Sequence, residues 1–570
     1  MKLLSGLAAV ALATTTFVPA LTQPASAAPL PGSPTADRAV QAGATWLTGQ
    51  LTDGVVHNDE YDFDDLGLSA DVAFALKAVG KDSAASGIAD AVEPLSESWV
   101  AGFTPGRVYA GSLAKLVTLA QATDHDATAF NGTDQVARLE GLVSSSAPLT
   151  GRLEDAGVDT SDPYDADFVN VIGQSFAARA LTTAGSPRAA DTTAFLLAQQ
   201  CDAGFFRAQL NGDKADSQQG CTSADTGSVD TTALAVVNIL DTEGASKTAR
   251  GAAALAADWL KGQQAADGSF SAGATEGYNA NTTGLAGWAL ARAGETAAAA
   301  KAATWLRAVQ VADLAPCATT LAADNGAVAY QPGILATART SGITLGARDQ
   351  YRRTTAQALP ALASAPAADA ALRISAPATA VEKSTVTVTV LGLGAGEAAC
   401  VSTGNASKSI TGTGGSVKVT FDLPAGASTH TFRMTTLAGS STAATVATVT
   451  PPVPAPAPTV GELDAAKVEK VRKNRFRLAV SCDSTVACAG TLTVRTAGKV
   501  RVPGKVRKKV VTVSERAYTV APGGEKRLVL KVTKTARALL AGGPLKVRAV
   551  QRATGAQRAV TTFRLKAAKG

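Results

Sequence analysis

The sequence predicts a multidomain chain: an all-α (α/α)6 toroid of helical hairpins followed by two all-β Ig-like sandwiches. Three observations lead there. A helix–loop–helix pattern of about 40–50 residues recurs through the first 340 residues. Beyond residue 372 the apolar spacing changes from helical to strict alternation. A proline run, PPVPAPAP at 451–458, divides the alternating part into two regions.

The chain has 570 residues, 46% of them hydrophobic, enough for several domains with buried cores. It opens as a secretory signal over 1–27. Lys2 precedes an apolar run over 3–18, and Ala25-Ser26-Ala27 supplies small residues at a cleavage site. The competing reading is a buried N-terminal helix; the run is short for a membrane span. A proline-rich leader follows over 28–37. No later stretch is long and apolar enough to span a bilayer, and no C-terminal apolar tail or sorting motif stands out. The expectation is a secreted, extracellular protein with no membrane span, associated with the cell wall if the basic tail described below binds it.

The helical region is expected over 38–360. Its units cover 38–80, 88–122, 136–185, 192–240, 258–294 and 299–340. The fullest copy reads DWLKGQQAADGSF, then SAGATEGYNA, then NTTGLAGWALARAG. Asn281, Thr282 and Thr283 are start signals for its second helix, and Gly294 is a stop signal. First helices carry Trp46, Trp99, Trp259 and Trp305 beside polar residues. Second helices, such as TTALAVVNIL, are small and apolar nearly all round, which predicts burial in an inner ring. The last inner helix is read from GAVAYQPGILATART.

Two β regions follow, over 368–450 and 461–570, with a linker over 451–460. KSTVTVTVLGLG, GSVKVTFDL and THTFRMTTL mark strands of the first; RFRLAVSC, KRLVLKVT and LKVRAVQR mark strands of the second. The net charge of +6 conceals an asymmetry: 26 Lys and Arg face 6 Asp and Glu after residue 460, against 27 and 41 before it. An acidic body therefore carries a basic tail.

Six cysteines in an exported chain favour disulfides. Cys482 and Cys488 are expected to pair, as are Cys201 and Cys221, which flank a turn. Cys317 and Cys400 either pair with each other or stay free. No CxxC occurs, which argues against a zinc ribbon.

The residues Gln263 or Gln264, Asp267, Gly268, Ser269 and Phe270 resemble the QW-type repeat of the squalene cyclase and prenyltransferase superfamily. QQCDAGFF and GQLTDG are weaker copies. NANTTGLAGWAL is similar to the repeat of cobalamin-binding toroids, and the whole helical part resembles secreted actinobacterial proteins with such repeats. The resemblance covers residues 38–340 and implies a toroid. It implies no single activity, because that fold hosts cyclases, transferases and carriers.

Asp62-Phe63-Asp64-Asp65 resembles the D-x-D-D acid motif of hopene-type cyclases, in which clustered carboxylates keep one proton. That resemblance makes Asp64 and Asp65 candidate acids. The motif departs from its pattern where Leu66-Gly67 replaces Thr-Ala, and its acids also suit a helix N-terminus. Asp230 stands at an inner-helix start, where a capping role is favoured. Tyr164, Asp167, Asn170 and Gln174 gather around the third inner helix. With Tyr61, Asp62, Tyr278, Asn279, Asn281, Thr282 and Trp288 they would line an acidic mouth able to hold a polar ligand. No cofactor is expected. Calcium at Asp62, Asp64 and Asp65, or a cobamide by resemblance, are the two weighed against that. The three histidines are far apart, no metal site is expected, and G-x-S-x-G, HExxH, P-loop and GCGEQ patterns are absent. Aromatic residues make up 5% of the chain, few for a pocket that stabilises carbocations.

The leading expectation is non-catalytic binding of an unknown small ligand or partner at the acidic mouth. The tail, 461–570, would associate with an anionic cell-envelope polymer, with no specific nucleic acid. The alternatives are a terpenoid-cyclase-like or prenyltransferase-like enzyme using the Asp62–Asp65 cluster, and a structural surface protein or adhesin.

Overall fold

The structure is a computed structural model that describes residues 34–102, 106–159, 161–162, 164–273, 275–404, 406–426, 428–439, 441–449, 459–553 and 558–568. The expected signal segment, leader residues 28–33 and linker residues 451–458 lie outside the described residues. The chain forms two compact units, 1–450 and 451–570.

Among the described residues the first unit begins with fourteen helices: α1 (Pro34–Thr48), α2 (Leu66–Ala78), α3 (Asp82–Val92), α4 (Ser96–Ala101), α5 (Ala110–Ala122), α6 (Gln135–Glu140), α7 (Val171–Thr183), α8 (Ala189–Ala198), α9 (Val229–Leu240), α10 (Lys247–Gln263), α11 (Ala280–Arg292), α12 (Thr296–Val309), α13 (Pro332–Ser341) and α14 (Leu345–Leu362). Six of them, α2, α5, α7, α9, α11 and α14, touch in cyclic order, and α14 returns to α2. Helices α3, α8, α10, α12 and α1 pack outside α2, α7, α9, α11 and α14. The inner helices are buried on nearly every side, as Ala-rich apolar segments must be. Small residues set their spacing: a Cβ on Gly173 of α7 would come within 3.1 Å of the Gly111 Cα of α5.

Two polar contacts recur around the ring. The first joins a loop to its inner helix at five of the six positions. Backbone N–H groups of Val56, Phe206, Phe270 and Val328 donate to the hydroxyls of Ser69 (2.8 Å), Thr232 (3.0 Å), Thr283 (2.9 Å) and Thr355 (2.8 Å). At the third position Gln174 replaces the hydroxyl and accepts from Leu153 N–H at 2.9 Å. The second joins successive outer helices. The amides of Gln200, Gln264 and Gln310 each donate to a carbonyl of their own turn (Gly204, Gly268, Gly326). Each also donates to a carbonyl of the next outer helix (Ala252, Ala298, Ala39). These bonds satisfy backbone groups that the buried loops would otherwise strand.

Residues 373–449 add a five-stranded sheet, in the order Ala406–Thr411, Ala398–Thr403, Thr429–Thr436, Ser441–Val449, Thr379–Val381, and a three-stranded sheet, Val417–Asp422, Thr385–Leu391, Arg373–Ser375. Val388, Val401, Phe432, Met434 and Val446 fill their core. They are tied to the helices by the Cys317–Cys400 disulfide, by Arg38 against Glu397 at 2.6 Å, and by Arg307 donating to Ala395 O at 2.8 Å. Cys201 bonds Cys221, and in the second unit Cys482 bonds Cys488.

The second unit holds a three-stranded sheet, Glu462–Asp464, Arg475–Ser481, Glu525–Lys531. Its five-stranded sheet runs Val468–Val471, Ala559–Ala567, Leu545–Arg552, Cys488–Thr496, Thr512–Val520. Helix α15 (Lys534–Ala541), capped by Thr533, lies in the same unit.

These findings correct the expected fold class. Of the described residues, 36% are helix and 26% strand. The helical region is not all-α, because its loops pair into short strands: β1 (Leu51–Thr52), β2 (Val55–Asn58), β3 (Phe63–Asp64), β4 (Phe270–Ser271) and β5 (Tyr278–Asn279). Nor is it a run of six simple hairpins. Between α2 and α5 the chain inserts α3, a 3-10 turn and α4, and between α12 and α14 it inserts α13. The expected last inner helix, over 326–340, is replaced by α14. Helix α13 buries only Leu335 and Ala338, whereas α14 buries Tyr351, Thr355, Leu359 and Leu362. Helix α14 escapes an apolar reading because it carries Arg348, Arg352 and Arg353, which reach Asp324, Asp59 and Asp65. The C-terminal regions are not two separate all-β Ig-like sandwiches. The first pair of sheets belongs to the same compact unit as the helices, and the second unit includes α15.

Candidate functional site

A cavity of about 450 Å³ opens among the inner helices. It is bounded by Gly67 and Asp71 of α2, Gly111 and Lys115 of α5, Asn170 and Phe176 at α7, Leu234 of α9, Trp288 of α11 and Gln357 of α14. Six aromatic side chains face it: Phe74, Trp99, Tyr109, Phe168, Phe176 and Trp288. Phe74 and Phe176 stack with centroids 5.8 Å apart. A second cavity, about 680 Å³ and more polar, lies at the opposite ends of the same helices, beside Lys77, Gln121, Asp241 and Arg292. Phe74, Arg179 and Trp288 line both cavities and so stand between them.

Charges at this constriction are paired. Lys115 lies 2.6 Å from the Asp71 carboxylate and donates to Gly67 O at 2.8 Å. Arg179 reaches Asn238 at 3.3 Å and Asp241 at 3.8 Å, and Arg292 meets Asp241 at 3.1 Å. Burial draws the Arg179 guanidinium below its usual range, against the pull of Asp241 and with the help of Arg292. At the cavity edge, fully buried Arg107 lies over the rings of Tyr109 (5.0 Å) and Phe168 (5.7 Å) and pairs with Asp155. Burial raises the Asp155 carboxyl, opposed by the N–H groups of Phe168 and Ala110.

Two polar atoms on side chains that line the cavity stand out. Trp288 Nε1 and Gln357 Oε1 are both buried, and neither has a hydrogen-bond partner among the described residues. One is a donor and the other an acceptor, and buried groups of this kind are costly to leave unpaired.

Of the residues singled out from sequence, the cavity gathers Asn170 and Trp288. Asn170 also caps α7, accepting from Gly173 N–H at 3.0 Å. The others lie elsewhere. Tyr61, Tyr164 and Tyr278 are exposed at the surface. Asp62 is exposed, 3.4 Å from His57, and Asp64 lies 2.9 Å from the same ring. Asp65 caps α2, accepting from Leu68 N–H at 2.8 Å, and pairs with Arg353. Asp167 pairs with Lys214 at 2.8 Å. Gln174 is enclosed by backbone partners at Leu153, Gly151 and Thr192. Asn279 caps α11 through Thr282 N–H at 2.9 Å. Asp230 lies beside Thr282; burial raises its carboxyl, the Thr282 hydroxyl opposes this and Glu276 adds to it. Burial, then Glu276, pushes nearby Tyr330 up to about 12. The Asn281 carbonyl is buried in the first turn of α11. No group of three or more His, Cys, Asp or Glu side chains among the described residues is placed to hold a metal ion.

Sequence reasoning missed Asp71, Lys115, Arg179 and Gln357. Their signal is a polar residue inside an otherwise apolar inner helix, as in SFAARAL and SLAKLVTL. The low aromatic content also misled, since it says nothing of where the rings converge.

No family model matches the chain, and no curated protein matches it. Among solved structures it is similar to a protein from Actinoplanes, at 20% identity over 58% of this chain and 99% of the other, with a TM-score of 0.38. It is also similar to a type II terpene cyclase from Scytonema bound to merosterolic acid A, at 14% identity over 58% of this chain and 96% of the other, with a TM-score of 0.38. A third is ent-copalyl diphosphate synthase from Streptomyces platensis, at 16% identity over 52% of this chain and 50% of the other, with a TM-score of 0.32.

Proposed function

We propose that the first unit binds, in the aromatic-lined cavity, a small and largely apolar molecule carrying one hydroxyl or carbonyl group. The observation that carries this reading is the aromatic lining of the cavity, together with the unpartnered Trp288 Nε1 and Gln357 Oε1 on side chains that border it. A polar group on the ligand would serve as partner to either one. The six rings supply the apolar contact, and the volume lies in the usual range for ligand pockets, about 300–1,000 Å³. Lys115 is paired with Asp71, and Arg179 and Arg292 share Asp241.

The enzyme alternative shares the aromatic walls. It finds no support in the placement of Asp64 and Asp65, which are engaged by His57 and by α2. Export is proposed with this reading: three disulfides suit an oxidising compartment, and no described helix is long and apolar enough to cross a membrane.

A thermal-shift panel tests the proposal, because a ligand bound by the folded state raises its melting point. Farnesol and related terpenoid alcohols are expected to raise Tm in the full chain and to fail with Gln357→Leu. A shift with sugars, cobamides or calcium and none with terpenoid alcohols would overturn the reading. Turnover of a polyprenyl substrate, seen by product analysis, would replace binding with catalysis.

A further inference from the structure

The solvent face of the five-stranded sheet in the second unit carries three like-charged pairs in direct register. Lys470 lies opposite Lys566, Lys546 opposite Arg564, and Arg495 opposite Arg548. Alternation puts all six on one face, because the residues between them (Leu565, Val547 and Val494) are buried in the core. Opposite Cβ atoms in such pairs are about 5 Å apart, and like charges there are destabilising. None of the six has a carboxylate partner among the described residues. The ion pair found in this unit is Arg527 with Glu525, on the other sheet. The nearest acid on the face, Glu515, sits opposite Thr493. Arg548 is half-buried, and its Nε has no hydrogen-bond partner among the described residues. Repulsion is thus concentrated on one surface and left without internal relief.

We propose that this face binds a flexible phosphodiester polymer without bases, of the polyol-phosphate type. The three pairs occupy successive rows about 7 Å apart along the strands. They form a band of positive charge that a linear polyanion can follow. Guanidinium groups can each pair with two oxygens of one phosphate. The positions between the pairs are Thr and Val, and no aromatic ring stands on the face to stack a base. The apolar side chains exposed on the face are the β-branched Val468 and Val560, which are short for entry into a lipid layer. The inference stands independently of the ligand proposed for the first unit.

The test is binding of the full chain to poly(glycerol phosphate) of defined length. Single-stranded DNA, poly-glutamate and anionic phospholipid vesicles, at equal charge, are the competing arms. Contacts with six phosphates predict a loss of affinity of about 10³-fold between 50 and 200 mM salt. Lys546→Gln with Arg564→Gln, and Arg495→Gln with Arg548→Gln, are each expected to weaken binding about tenfold and to flatten the salt dependence. Each double variant is also expected to raise Tm at low salt, because it removes a repelling pair; this shows that the fold survives. A control removes four charges from the loop beside the sheet (Lys505, Arg507, Lys508 and Lys509, each to Gln) and is expected to keep most of the affinity. An equal loss in the loop variant would reduce the effect to net charge and overturn the proposal. Tighter binding to DNA, poly-glutamate or vesicles than to the polyol phosphate would overturn it as well.

Discussion

The side-chain amide of Gln310, at the end of α12, donates to the carbonyl of Ala39 in α1 at 3.0 Å. It thereby closes the circle of outer helices, joining residues 271 apart in the chain. The same amide donates to Gly326 O at 3.1 Å, so one buried group satisfies two carbonyls. Gln310→Ala removes a donor from Gly326 O and the link to α1. The expected cost is about 2–3 kcal/mol, measured by urea unfolding of the full chain. Gln264→Ala is expected to cost less, since its site is only partly buried.

Gly326 makes the adjacent turn possible. Its φ is +102°, and an added Cβ would lie 2.2 Å from Ala42 O. Both strain and collision act on Gly326→Ala, and α1 must move to admit it. A loss of more than about 3 kcal/mol is expected, with Tm falling by several degrees. A neutral result would show that α1 docks differently.

Asp241 is the shared anion of Arg179 and Arg292 and is 7% exposed. Asp241→Asn leaves two guanidinium groups facing each other across the constriction. Removing one partner of a buried ion pair costs about 3–5 kcal/mol, and a loss near the lower figure is expected here. Arg179→Met alone, which leaves Asp241 with Arg292, is expected to cost less.

Gln357→Leu removes a buried acceptor that has no partner among the described residues. The ligand-free variant is expected to match or exceed the parent in stability, by about 0.5–1 kcal/mol. It is also expected to lose the Tm rise given by terpenoid alcohols. Loss of stability instead would mean that the Gln357 amide has a structural partner.

His57 should titrate above its ordinary value of about 6.5. Donation of its ring N–H to the Asp64 carboxylate raises it most, burial opposes this, and the charges of Asp64, Asp62 and Asp59 add to it. A raised folded pKa means that its contribution to stability is complete below the unfolded value and is lost as pH rises through the folded one. NMR titration of the His57 ring is expected to give a midpoint above 6.5 that falls in Asp64→Asn. An unchanged midpoint would separate the two side chains in solution.

Helices α2, α7, α9 and α11 were legible because long runs of Ala, Leu and Val, opened by Ser, Thr, Asn or Asp, have one structural solution. Helix α14 was not, because Arg348, Arg352 and Arg353 break its apolar pattern. Their charges are tolerated only because Asp324, Asp59 and Asp65 arrive from segments far away in sequence. The same limit applies to the cavity. Caps such as Asn170 and Asn279 announce themselves locally, whereas Lys115 and Gln357 acquire meaning from the helices opposite them.

What the residues determined alone was local: helical and alternating periods, chain punctuation, and a basic tail set against an acidic body. The tertiary structure decided which helix closes the ring, where the scattered aromatics converge and which cations share a face. Those outcomes depend on contacts between residues distant in sequence. A local pattern shows which side of an element seeks burial but not what will meet it there.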